Sequence, residues 1–253
     1  MSLTIHAEFS PRHEVAPPSV VDAADPGGYL RCKNLADRLA ASLLLVLLTP
    51  LILALAAVVR LTSRGPAIYR QVRLGRDGRP FQILKLRSMR HDCERLTGPL
   101  WASKAGDSRV TPVGDFLRLS HLDELPQLWN VIRGEMSLVG PRPERPEFVA
   151  QLRREIPGYD DRMRVRPGIT GLAQVRLPAD ERVDDVRRKV RYDLLYIDSL
   201  GAMLDLKILV GTVFKVAGVP FQRTGQILDL PLAPGPEPEG LAPAVEPPLA
   251  RQA

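Results

Sequence analysis

Between Arg38 and Arg60 the chain runs for 21 residues, Leu39 to Val59, without a charge. As one helix this run would measure ~31 Å, enough to cross the hydrocarbon core of a bilayer. Two features disturb a straight crossing. Thr49-Pro50 lies at its middle, where proline removes a backbone hydrogen bond and bends a helix at a cost of ~3 kcal/mol. Both flanks are also positive, with Arg31, Lys33 and Arg38 before and Arg60, Arg64 and Arg70 after. The preference for cytoplasmic positive charge cannot be met on both sides by one crossing. A helix-break-helix that enters and leaves through one leaflet, broken at Thr49 and Pro50, satisfies both flanks. A single span with a tolerated kink is the simpler alternative, because threonine and neighbouring groups can re-satisfy the backbone.

The period changes after this run. Ala67–Val72 reads as a short strand, Arg76–Arg79 as a turn and Pro80–Leu86 as a returning strand, so a β-hairpin carries Gln71, Arg73, Lys85 and Arg87. Lys85 and Arg87 interrupt an apolar strand and must face a partner. Helical spacing returns at Leu125, Leu128, Trp129, Ile132 and Met136, again over Pro146–Ile156, and again over Met203–Val216. Packing in a soluble core explains any one such stripe. Three of them beside a membrane hairpin predict amphipathic helices seated at an interface. The expected fold class is α+β and mostly helical. It comprises an N-terminal re-entrant membrane segment, a short β-hairpin, and interfacial helices around a site on the cytoplasmic side.

Both ends of the chain are of another kind. Residues 1–28 are polar, carry Pro17-Pro18 and Asp25-Pro26-Gly27-Gly28, and lack the ordered regions of a signal peptide. Seven prolines lie between Pro231 and Pro248, a composition that buries too little apolar surface to fold. The division expected is a flexible extension over 1–28, a membrane hairpin over 29–62, a catalytic domain over 63–225 and a disordered Pro-rich tail over 226–253.

Charge narrows the partners. The formal balance is +6, and nine Lys/Arg stand between Arg60 and Arg90 against one acid, Asp77. Anionic partners follow, whether lipid headgroups or nucleotide phosphates. Aromatic residues are 5% of the chain, and without a stacking ladder the reading excludes nucleic acid. Cys32 and Cys93 form no CxxC pair, and the four histidines show no metal-ligand spacing.

The densest chemistry is Ser120-His-Leu-Asp-Glu-Leu125, two adjacent acids in a frame of leucines. Ser120 stands three residues before Asp123, the spacing of a capping box, so the acids are expected to open a helix running to Met136. Simple capping accounts for acids at a helix start. Two carboxylates there can also bind Mg²⁺, and one can attack phosphorus as a nucleophile. Arg109, Arg118, Arg142 within Pro-Arg-Pro, Arg164 and Arg166 add planar forks suited to phosphate. Neither a Walker loop nor a GxGxxG fingerprint is present.

Taken in order, these residues resemble the bacterial sugar transferases, small monotopic phosphoglycosyl transferases. The resemblance rests on Thr49-Pro50 in the apolar segment, Gln71-x-Arg73-x-Gly75, Phe81-x-x-x-Lys85-x-Arg87-Ser-Met89 and Leu122-Asp-Glu-Leu-Pro-Gln-Leu-x-Asn-Val131. Further along come Met136-Ser-Leu-Val-Gly-Pro-Arg-Pro143, Arg166-Pro-Gly-Ile-Thr-Gly-x-Ala-Gln-Val175, Tyr192-Asp193 and Leu204-Asp-Leu-Lys-Ile208. It covers about residues 33–216. His121 departs from the family's usual Ser-Leu-Asp-Glu and displaces the serine by one position.

The resemblance implies transfer of a sugar-1-phosphate from a UDP-sugar to polyprenyl (undecaprenyl) phosphate, with UMP released and glycan synthesis primed. Asp123 would be the nucleophile and Glu124 its helper, both holding Mg²⁺. Lys85, Arg87, Arg118, Arg142 and Arg166 would neutralise the diphosphate. The implied location is the inner membrane, facing the cytoplasm, with membrane lipid and downstream glycosyltransferases as partners. A different class of reading, a membrane-anchored scaffold that binds anionic lipid, explains the charge and the Pro-rich tail but gives the acidic pair no purpose.

Overall fold

The computed structural model describes residues 28–91, 93, 107–178 and 183–233. Apart from Gly28 and 226–233, the expected flexible extension and Pro-rich tail lie outside the described residues. The apolar run is the middle of one helix, α1 (Tyr29–Thr62), 34 residues and ~51 Å long. Helical backbone continues through Thr49 and Pro50, where a break was expected, and the Thr49 hydroxyl donates to Leu45 O at 2.6 Å. Among the described residues, α1 is the one helix long and apolar enough to cross a membrane.

Both flanks of α1 nevertheless pack on the same body. Before Pro50, Ala41, Leu45 and Leu48 join Phe81, Ile83, Leu128, Val131 and Met136. There too Lys33 reaches Asp205 at 2.6 Å, and Asp37 accepts from the Ser137 hydroxyl. After Pro50, Leu55, Ala56 and Val59 pack with Leu86 and Leu117. Arg87 donates to the carbonyls of Val59 and Ser63 at 3.3 and 2.9 Å, and to that of Arg64. Between these seats Leu39, Leu43, Val46, Leu47 and Leu53 remain 62–72% exposed.

The hairpin forms as expected: β1 (Ile68–Leu74) runs antiparallel to β2 (Pro80–Leu86), with Tyr69 opposite Lys85 and Arg73 opposite Phe81. Asp77 and Gly78 make its turn at φ 56° and 69°. Side chains alternate along a strand, so Lys85 shares the face of buried Phe81 and Ile83. The free edge of β2 is closed by Asn130, which donates to Gln82 O at 2.7 Å and accepts from Leu84 N at 3.1 Å.

The expected capping box does not form. α2 (Pro112–Leu119) ends at Ser120, whose hydroxyl donates back to Phe116 O at 2.8 Å. The Ser120 backbone stays helical, at φ −86° and ψ −4°, instead of taking the extended conformation of an N-cap. His121, at φ 56°, turns the chain into a single 3-10 turn of Leu122–Glu124. The helix after it, α3, covers Gln127–Ile132 alone, because Gly134 at φ 76° ends it and the N–H groups of Glu135 and Met136 both turn to Asn130 O.

Then follow β3 (Ser137–Val139), α4 (Pro146–Glu155), β4 (Gly168–Thr170) parallel to β3, α5 (Leu172–Arg176), α6 (Val183–Asp198), α7 (Ala202–Val216) and α8 (Phe221–Ile227). Among the described residues the architecture is mostly helical α+β with two two-stranded sheets. Its largest core joins Val139, Val175, Tyr196, Ile208 and Leu230. Leu230, beyond the expected boundary at 225, is 5% exposed and packs in this core. The outer side of α7 stays apolar: Met203, Leu206 and Val213 are 66%, 55% and 66% exposed.

Candidate active site

The 3-10 turn places Asp123 and Glu124 inside the molecule, 7% and 9% exposed. Period two along β2 brings Lys85 to Glu124, Nζ to Oε1 2.8 Å. From the opposite side Arg142 grips the same carboxylate, Nη2 to Oε1 at 2.6 Å and Nη1 to Oε2 at 3.4 Å. Burial pushes the Glu124 carboxyl up, but Arg142 and Lys85 outweigh it and hold it well below the usual range. Asp123 differs. Among the described residues no hydrogen bond reaches its carboxylate, and burial pushes its pKa up against the pull of Lys85. One acid is clamped; the other faces open space.

That space is a cleft of about 1010 Å³ over Asp123, with walls from β1, the residues after β2, α2 and the start of α4. Arg118 reaches it because α2 lies against the chain at Ser88: Thr111 N and the Arg118 Nε bond Ser88 O and Oγ at 3.1 and 3.0 Å. Gly114 permits the approach, since a Cβ there would stand 1.8 Å from Ser88 O. The Arg142 loop is fixed from several directions. Arg162 donates to Arg142 O at 2.8 Å while its guanidinium is paired with Asp193 at 2.6 Å, both residues buried. Arg73 donates to Pro143 O at 3.2 Å, and Leu74 N to Glu144 O at 3.0 Å. Burial raises the Glu144 carboxyl, yet Lys189, Arg162 and Arg73 bring it down to about 2.

Of the residues singled out from sequence, the fold brings Asp123, Glu124, Lys85, Arg118 and Arg142 together. Arg87 lines the cleft wall, but its guanidinium is spent on the carbonyls at the end of α1. Arg166 is not in the cleft; the charges around it are Arg38, Arg76 and Asp37, because the parallel β3–β4 pairing turns its segment toward the base of α1. Arg145 and Phe148, which line the cleft, and Arg162 were not singled out. Arg145 stands two residues after the Pro-Arg-Pro, a signal available in hindsight; Arg162 has no local signal.

Mg²⁺ was expected on both acids. The geometry suits it on Asp123, whose carboxylate faces the cleft, and not on Glu124, whose two oxygens are taken by Arg142 and Lys85. A single carboxylate with substrate phosphates is an ordinary Mg²⁺ environment. Among the described residues no cluster of three or more His, Cys, Asp or Glu is poised for a metal.

Residues 28–218 match the family described as bacterial sugar transferase. The chain is 46% identical over 185 residues to a UDP-glucose:undecaprenyl-phosphate glucose-1-phosphate transferase of Klebsiella pneumoniae, covering 72% of this chain and 39% of that one. A protein of the same name from Caulobacter vibrioides is 46% identical over 183 residues, 72% of this chain and 68% of its own. A UDP-N-acetylgalactosamine-undecaprenyl-phosphate N-acetylgalactosaminephosphotransferase of Aeromonas hydrophila is 44% identical over 185 residues, 73% and 43% of the two chains. The match thus spans about two fifths of the Klebsiella and Aeromonas relatives and about two thirds of the Caulobacter one.

Proposed function

The chain belongs to the bacterial sugar transferase family, and from that premise we propose that it transfers a sugar-1-phosphate from a UDP-sugar to polyprenyl phosphate. One observation carries the reading: a buried carboxylate, Asp123, that has no hydrogen-bond partner among the described residues, at the floor of a cationic cleft beside a second acid that two cations hold in place. An Asp123 oxygen attacks the β-phosphorus, the bond from that phosphorus to the bridging oxygen breaks, and UMP leaves with the electron pair. A phosphate oxygen of the polyprenyl acceptor then attacks the same phosphorus, and Asp123 departs as a carboxylate. The product is a polyprenyl-diphosphate sugar, the substrate class on which glycosyltransferases would build.

Glu124 acts as the strut that fixes Lys85 and Arg142 toward the developing phosphate charge; preorganised charge of this kind is a large part of phosphoryl transfer. Arg118 adds a third cation. Mg²⁺ bound at Asp123 would neutralise the diphosphate and polarise the attacked phosphorus.

For membrane seating we favour a re-entrant α1 over a straight span, because residues on both sides of Pro50 dock on one body. The exposed apolar residues of α7, with Phe116 and Leu119 on α2 at 58% and 75% exposed, would extend this seat along the headgroup layer. Such an arrangement keeps the cleft on the cytoplasmic side, level with a lipid phosphate of the inner membrane. A lipid-binding scaffold leaves the Asp123 cleft without a use. The deciding measurement is UMP release from a panel of UDP-sugars with polyprenyl phosphate and Mg²⁺, alongside Asp123→Asn. Mass spectrometry of protein incubated with donor alone should find a phosphosugar on Asp123; turnover without that adduct would overturn the covalent route.

A further inference from the structure

We infer that the uridine of the donor lies in one arm of the cleft, between Tyr69, Gln71 and Arg73 of β1 and the Arg145–Phe148 pair at the start of α4. The inference rests on the UDP-sugar reading above and says where that donor is recognised. Tyr69 pairs across the hairpin with Lys85, and Lys85 bonds Glu124, so Tyr69 marks the end of the arm beside the acids. Four residues along the same face, about 14 Å at strand spacing, Arg73 donates to Pro143 O and marks the other end. A nucleotide whose β-phosphorus meets Asp123 can therefore lie along the strand.

The chemistry of the arm suits a base. Among the described residues Tyr69 and Phe148 are the phenyl-ring side chains that line the cleft. Tyr69 is 41% exposed, and the Arg145 guanidinium stands 5.3 Å from the Phe148 ring centroid, a flat platform of the sort on which bases stack. Gln71 Oε1 accepts from Arg73 Nη2 at 2.7 Å. That bond orients the amide so that its NH₂ is left to donate to a uracil carbonyl. Arg73 itself lines the cleft and adds a positive charge suited to the α-phosphate. Ser88, Met89, Arg109 and Arg118 also line the cleft; among the described residues they offer cations without phenyl rings and suit the sugar-phosphate end.

The test compares binding of UMP and of inorganic pyrophosphate by calorimetry, using the full chain and its Tyr69→Ala, Gln71→Ala and Phe148→Ala variants. Loss of a stacking or base contact should weaken UMP about tenfold or more and leave pyrophosphate within about twofold. Equal weakening of both ligands would mean that these residues merely shape the cleft, and unchanged UMP affinity would place the base elsewhere; either result overturns the assignment. Its failure is separable from failure of the donor reading, which is judged by whether the unmodified protein releases UMP from any UDP-sugar.

Discussion

Asp123 and Glu124 are neighbours in opposite electrostatic settings, and their isosteric amides should behave oppositely. Burial raises the Asp123 carboxyl, so its charge is a cost to the folded state at neutral pH. Asp123→Asn should abolish UMP release while keeping or raising the melting temperature. Glu124→Gln removes the shared partner of Lys85 and Arg142 and should cost ~3 kcal/mol or more, seen as a clear drop in the same melting experiment. In the metal-free protein burial holds the Asp123 carboxyl above the ordinary aspartate value, so an NMR titration without Mg²⁺ should find it protonating at a pH above the usual aspartate range, and added Mg²⁺ should move that transition down. At this scale the acids, Lys85 and Arg142 were legible in sequence as charges inside apolar frames. What they do was not: Glu124 could not be told from Asp123 until Lys85 and Arg142, 39 and 18 residues away, were seen to converge on one of the pair.

The elements were read unevenly, for a physical reason. The hairpin and the helices at 146–156 and 203–216 have clean periods, and they appear within a residue or two of the expected limits. The acidic turn does not, because local capping statistics favoured a box at Ser120, whereas the hydroxyl closes α2 and His121 takes the left-handed conformation. α6 escaped notice since its apolar positions are broken by Lys189 and Asp193, charges that only distant partners neutralise. For α1, contacts on both sides of Pro50 make a re-entrant seat testable. Cys32 is exposed near its start; with a second cysteine from Leu61→Cys, 85% exposed near its end, a membrane-impermeant maleimide should label both positions from the cytoplasmic side of oriented vesicles. Labelling from opposite sides would establish a straight span instead.

Across the whole molecule, buried ion pairs tie the pieces together: Lys33 with Asp205 joins α1 to α7, Arg162 with Asp193 joins α6 to the Arg142 loop, and Lys189 with Glu144 completes it. Glu144 provides a stability test. Its folded pKa of about 2 lies below the 4.5 of the free acid, so its contribution is present above that higher value and is lost as pH falls from 4.5 toward 2. The difference amounts to ~3 kcal/mol. Denaturant titrations of the detergent-solubilised protein should lose that amount over this window, and Glu144→Gln should flatten the slope there. The sequence by itself determined the apolar anchor, the hairpin, the acidic pair and the family, since these are written in period, charge and the order of short motifs. Tertiary structure alone decided which acid is held and which is open, that Arg87 serves α1 and Arg166 lies elsewhere, and that both flanks of the anchor rest on one body. Those outcomes depend on contacts between residues far apart in the chain, and no local pattern encodes which distant cation a buried carboxylate will meet.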